Sequence, residues 1–186
     1  HCEETVELAI SFGSDPHMRQ IPLELIETTW QEVSAFSPRR VQKEMDRAAQ
    51  LQPDLLSFVM VFTEESGPDA HALATYLYFV ILRIFEQGTK RRIPRVRPSQ
   101  IKRRLEQNER MLTRLEHAHP RFLEKTALTE ASRQPYVVQY LVEAIMEAPD
   151  EEDPMILTEE EEGTLFLVLK TAIDVLDHAR RKVELI

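Results

Sequence analysis

Glycine is scarce in this chain. The four residues, Gly13, Gly67, Gly88 and Gly163, all stand apart from one another. No phosphate-cradling loop can be assembled locally from isolated glycines, which excludes Rossmann, P-loop and kinase-type nucleotide sites. No serine sits in a G-x-S-x-G elbow, and Ser66-Gly67-Pro68 reads as a turn. Cysteine occurs once, at Cys2, so an intrachain disulfide is ruled out and a reducing, cytoplasmic setting is the simpler expectation. Long apolar runs are missing too. The most apolar, Ala72 to Phe85, has 14 residues and contains Arg83. A transmembrane helix needs about 20, so no transmembrane segment is expected and this run reads as a buried helix.

What is present points to helices. Eleven prolines punctuate the chain rather than interrupt it. Pro22, Pro38, Pro53, Pro68, Pro98 and Pro135 each open a segment of helical apolar period, where a missing N–H costs nothing. Ser37 precedes Pro38 as an N-cap, and Thr158 with Glu161 fits a capping box. The pattern predicts helices near 22–36, 38–51, 53–65, 68–87, 98–118, 135–148 and 158–183, with an eighth over 121–131 as an option. The expected fold class is all-α: a single helical bundle or short α-α superhelix of seven to eight helices over 18–186. Residues 1–17 read as a tail or as added residues, since Gly13–Met18 has the look of a leader ahead of a natural start at Met18.

Apolar faces rank these helices. In 158–183, Leu165, Leu169, Ala172, Leu176, Ala179 and Val183 recur at intervals of three and four, a stripe broad enough for a core and a dimer interface. The 68–87 helix is apolar on most sides and should be central. The 98–118 helix carries only a narrow seam, Ile101, Leu105, Leu112 and Leu115, interrupted by Asn108, and should lie on the surface. Pro53–Phe62 resembles Pro135–Ile145, each followed by an acidic turn and a long apolar helix, so a pseudo-duplicated helix pair is a further option.

Charge is segregated within a chain of net charge -9. Glu86 to Arg104 holds eight Lys or Arg residues, with a basic connector at about 88–98. Between Gln134 and Leu169 there is no Lys, Arg or His, while ten acids fall there. The acidic balance argues against a general nucleic-acid binder, though a local contact through 90–104 stays open as a third option. The connector's cations can instead answer the chain's own acids or a partner protein's.

No catalytic or metal constellation is legible, and no cofactor is called for. Glu116 with His119 is an E-x-x-H, but a di-metal bundle needs the motif twice. Asp174 and His178 are spaced to pair on one helix face, without a nucleophile nearby. The leading expectation is a noncatalytic helical module that binds itself or another protein. Arg91, Arg92, Arg95, Arg97, Arg103 and Arg104 would form the cationic part of its interface, and Glu159, Glu160, Glu161 and Glu162 the acidic part. The alternative is a small-molecule binder or enzyme with an inter-helix pocket, to which His71, Tyr76, Tyr136 and Tyr140 would supply polar groups.

Overall fold

The computed structural model describes residues 20–118, 132–146 and 156–184. They form seven α-helices: α1 (Leu23–Ser34), α2 (Pro38–Leu51), α3 (Pro53–Thr63), α4 (Pro68–Gln87), α5 (Pro98–Ala118), α6 (Pro135–Met146) and α7 (Glu159–Glu184). No strand occurs among the described residues. The optional helix over 121–131, the tail 1–17 and His119 of the E-x-x-H pair lie outside them.

The predicted caps are in place. Ser37 Oγ accepts from the Arg40 N–H at 3.3 Å. At the start of α7, the Thr158 N–H donates to Glu161 at 2.7 Å while the Glu161 N–H donates back to Thr158 Oγ1 at 3.2 Å, a reciprocal capping box. The expected 53–65 helix ends earlier, at Thr63, because the chain tightens into a 3-10 turn over Glu64–Ser66. That turn leaves through Gly67 at φ 86°, where a side chain would be strained.

Two helices make the centre, and they run parallel. A Cβ at Gly67 would lie 3.1 Å from Glu161 Oε1, so the first turns of α4 and α7 are neighbours. At the other end Arg180 donates to the Gly88 carbonyl at 3.3 Å and Thr89 to Glu184 at 3.3 Å. Helix α4 packs against α1, α2, α3 and α7, and α7 packs against α3, α4, α5 and α6. Leu77, Val80, Ile81 and Ile84 of α4 meet Leu165, Leu169, Ala172 and Leu176 of α7 in one core, each essentially without exposure. Phe166, Val168, Ile173 and Val175 are buried as well, so between Leu165 and Ala179 only Leu167, Asp174 and His178 keep appreciable exposure. Most of the apolar stripe from which a dimer interface was expected is therefore packed within the chain, with Val183 half-buried at its end.

The other helices are positioned by polar ties. Arg83, which interrupts the apolar run of α4, reaches Glu32 of α1 at 3.0 Å and Glu44 of α2 at 3.5 Å. A hydrogen bond from Gln87, aided by Arg83 and Arg40, holds the Glu32 carboxyl below its usual range. Asn108 sits in the seam of α5 because α7 offers it partners: its Nδ2 donates to Thr171 Oγ1 and Asp174 Oδ2, each at 3.1 Å. Asp174 also holds buried Lys170 at 2.8 Å. The anticipated Asp174–His178 pair is therefore replaced, and His178 is exposed. The pairs α3–α4 and α6–α7 are both antiparallel hairpins, with their long members side by side.

Candidate binding surfaces at the basic end

Antiparallel α5 brings the first turns after Pro98 to the C-terminal end of α7. The basic connector joins α4 to α5 at that same end. It is neither a loose loop nor a helix. Ile93 and Val96 turn inward and are buried, while Pro94 and Pro98 keep the backbone extended. Gln52, itself buried at the α2–α3 join, clamps both sides of Pro94–Val96. Its Nε2 donates to the Pro94 carbonyl at 3.0 Å and its Oε1 accepts from the Val96 N–H at 2.9 Å. With two residues drawn in, Lys90, Arg91, Arg92, Arg95 and Arg97 face water. The connector is a strap.

Beneath this end lies a buried polar hub. Gln134 Oε1 accepts from the Ile21 N–H at 2.9 Å, and its Nε2 donates to Asp177 at 2.7 Å. Asp177 also takes Arg180 at 3.2 Å and a close contact from Arg181. Because Arg180 continues to the Gly88 carbonyl, the hub ties the segment before α1, the start of α6, the end of α7 and the end of α4 together. Such a network is worth keeping only when its members are paired, since a buried lone charge is costly.

Between α2, the end of α4 and the strap is a cleft of about 470 Å³. Arg47, Lys90, Arg91 and Arg92 border it, and Leu51, Leu82 and Ile93 give it an apolar lining. Arg47 is a two-pronged partner of Glu86, at 2.8 and 2.7 Å, and this bond raises the guanidinium pKa above its already high value. Among the described residues no carboxylate pairs with Lys90, Arg91 or Arg92. Tyr78 lies two turns before Glu86 on α4, fully buried, with a hydroxyl that has no partner. Burial, and secondarily the Glu86 charge, push its ionisation up.

On the other side of the strap, α3 and α5 enclose an apolar groove of about 570 Å³. Phe58, Val61 and Phe62 face Pro98, Ile101 and Leu105 across it, with Asp54, Lys102 and Glu106 on the rim. The Phe58 and Phe62 rings meet at a tilt of 51°, with 4.8 Å between centroids. Met60, Val61 and Phe62 are 42%, 61% and 48% exposed, because Leu55, Val59 and Thr63 on the opposite face of α3 are the residues the core takes.

The residues singled out from sequence distribute unevenly. Arg91 and Arg92 line the cleft, Arg95 pairs with Asp54 at 2.7 Å, and Arg97 and Arg103 are exposed with Arg104 half-buried. Glu159 to Glu162 lie at the opposite end of α7, roughly 30 Å away at 1.5 Å per residue, and Glu161 is engaged in its cap. The acids of this helix start therefore do not balance the strap within one molecule. His71 shares a 2.9 Å hydrogen bond with Thr63 Oγ1. Since the Thr63 hydroxyl hydrogen goes to the Val59 carbonyl at 2.8 Å, His71 Nδ1 must be the donor of that bond. Tyr140 lines a depression of about 330 Å³ between α1 and α6, together with half-exposed Trp30. That depression takes in neither His71, Tyr76 nor Tyr136. Tyr76 and Tyr136 are exposed, and Tyr76 adds slightly to a rise in the Tyr140 pKa that burial causes.

Sequence reasoning missed the groove. A signal existed: PDLLSFVMVF has no polar face, although the helix is too short to be enclosed on all sides. Among the described residues no three His, Cys, Asp or Glu side chains gather as a metal site, and no helix is long and apolar enough to cross a membrane. No protein-family model, curated protein or solved structure matches the chain.

Proposed function

We propose that this chain is a noncatalytic self-associating module, a homodimer whose copies meet through their α3–α5 grooves. The observation that carries this reading is the exposed pair Val61 and Phe62, which stands out as a ridge along one wall of an apolar groove. Leaving apolar surface in water costs about 25 cal/mol per Å² relative to burying it, and contiguous apolar patches on soluble chains usually mark interaction sites. A ridge and a groove on one surface suit a twofold axis, because each copy offers both knob and hole. The rim supports the same pairing. Its charges have both signs, Asp54 and Glu106 against Lys102, so a twofold can set each Lys102 near an acid of the other copy.

Head-to-tail pairing of the strap cations with Glu159–Glu162 is the weaker arrangement. It joins two different surfaces, so it repeats along a chain of copies unless the rotation closes a ring. It would also dissolve in salt, since exposed charges are screened beyond about 8 Å at physiological ionic strength. A pocket enzyme has less support still, with His71 and the tyrosines spread over separate surfaces.

The test is absolute mass by light scattering after size exclusion, at low and at high salt. A groove dimer gives twice the 21.7 kDa chain mass in both conditions. A monomer throughout, or a dimer lost on adding salt, overturns the proposal.

A further inference from the structure

We infer that the cleft between α2, the end of α4 and the strap binds a phosphate-bearing small organic anion. This rests on different residues from the groove and stands apart from the self-association reading. Three consecutive cations, Lys90, Arg91 and Arg92, border one cavity and have no carboxylate partner among the described residues. The fourth, Arg47, is already neutralised by Glu86, so the mouth keeps an excess of positive charge. Ile93 fixes the arrangement. Its burial one residue beyond Arg92, with the Gln52 clamp just after it, anchors the backbone that carries the cations.

The chemistry of the ligand follows from these groups. Guanidinium forks match phosphate oxygens two at a time, and an ammonium adds a point charge. A single carboxylate brings one negative charge to these three cations, whereas a phosphate monoester brings about two. The inner wall is apolar, from Leu51, Leu82 and Ile93, so an organic body gains contact that a bare phosphate does not. A volume of about 470 Å³ lies within the usual span of small-ligand pockets. The cleft carries no exposed aromatic ring on which successive bases could stack, which disfavours a single-stranded nucleic acid as its occupant.

Isothermal titration calorimetry of the full chain tests this with three probes: ADP, inorganic pyrophosphate and a single-stranded RNA oligonucleotide. The expected result is one saturable ADP site per chain, with pyrophosphate weaker because it leaves the apolar wall unused. The Arg91→Ala/Arg92→Ala variant should lose about tenfold or more in ADP affinity. Arg97→Ala/Arg103→Ala removes the same charge outside the cleft and should stay within about twofold. All four side chains are exposed, and circular dichroism checks that each variant keeps its helices. Four outcomes overturn the inference: no saturable binding of ADP, pyrophosphate as tight as ADP, equal weakening in both variants, or RNA bound where ADP is not.

Discussion

The cleft and the groove lie on two sides of one strap, yet they keep their binding groups outward for different reasons. In the cleft, Ile93 and Val96 are pulled into the core, and the cations between and around them have nowhere to go but outward. In the groove, the opposite face of α3 is already spent on the core, so Val61 and Phe62 are left over. One surface is made by anchoring an extended segment at a few points, the other by giving a short helix more apolar residues than its packing uses. Extended anchoring shows charge to solvent; surplus apolar residues show grease. Their shared support is the Gln134–Asp177–Arg180 hub, which fixes the end of α4 from which the strap departs.

That common support is where the comparison breaks most severely. Asp177→Ala strips a carboxylate from buried Arg180, and loss of one partner of a buried pair costs about 3–5 kcal/mol. Urea unfolding should register a loss of that size, and a change under about 1 kcal/mol would show that the hub supports nothing. Gln52→Ala is the next in size. It leaves the buried Val96 N–H and the Pro94 carbonyl without their partner, a cost of about 1–3 kcal/mol. Hydrogen exchange at Val96 should then accelerate, and ADP affinity should fall with it.

A change at the far end sharpens the contrast by sparing both surfaces. Thr158→Ala removes the capping box of α7 and should cost about 1 kcal/mol in urea unfolding. Dimer mass and ADP binding should not change. The smallest effect concerns His178, at the basic end. Partial desolvation, then the charges of Lys182, Arg104 and Arg181, hold its imidazole below the ordinary 6.5. The folded chain thus binds this proton less readily than the unfolded chain. Stability is unaffected above the unfolded value and declines as pH falls from about 6.5 through the folded value. His178→Gln should flatten that part of a stability profile measured by thermal unfolding.

The all-α bundle was legible because prolines and caps mark where helices start. Pro38, Pro53, Pro68, Pro98 and Pro135 each stand at a first helical position, and Thr158–Glu161 closes the box its spacing implies. The central place of α4 was legible from its apolar circumference. The role of α7 was half legible: the broad stripe was visible, but not that α3, α5 and α6 would join α4 in covering most of it. Arg83 and Asn108 looked like defects in apolar seams because their partners, Glu32 and Asp174, are distant in sequence. The Ile93-x-x-Val96 spacing holds the signal for the strap, hidden among the charges that dominate the stretch. The hub was invisible, since Gln134, Asp177 and Ile21 meet only through tertiary packing.

The most direct test of the division between the surfaces is light scattering on two double variants side by side. Val61→Asp/Phe62→Asp places two carboxylates on the exposed ridge, and Arg91→Ala/Arg92→Ala removes two cations from the cleft. The groove account predicts a monomer for the first and an unchanged dimer for the second. A dimer that survives the aspartates and falls apart without the arginines would contradict it, placing self-association at the basic end instead.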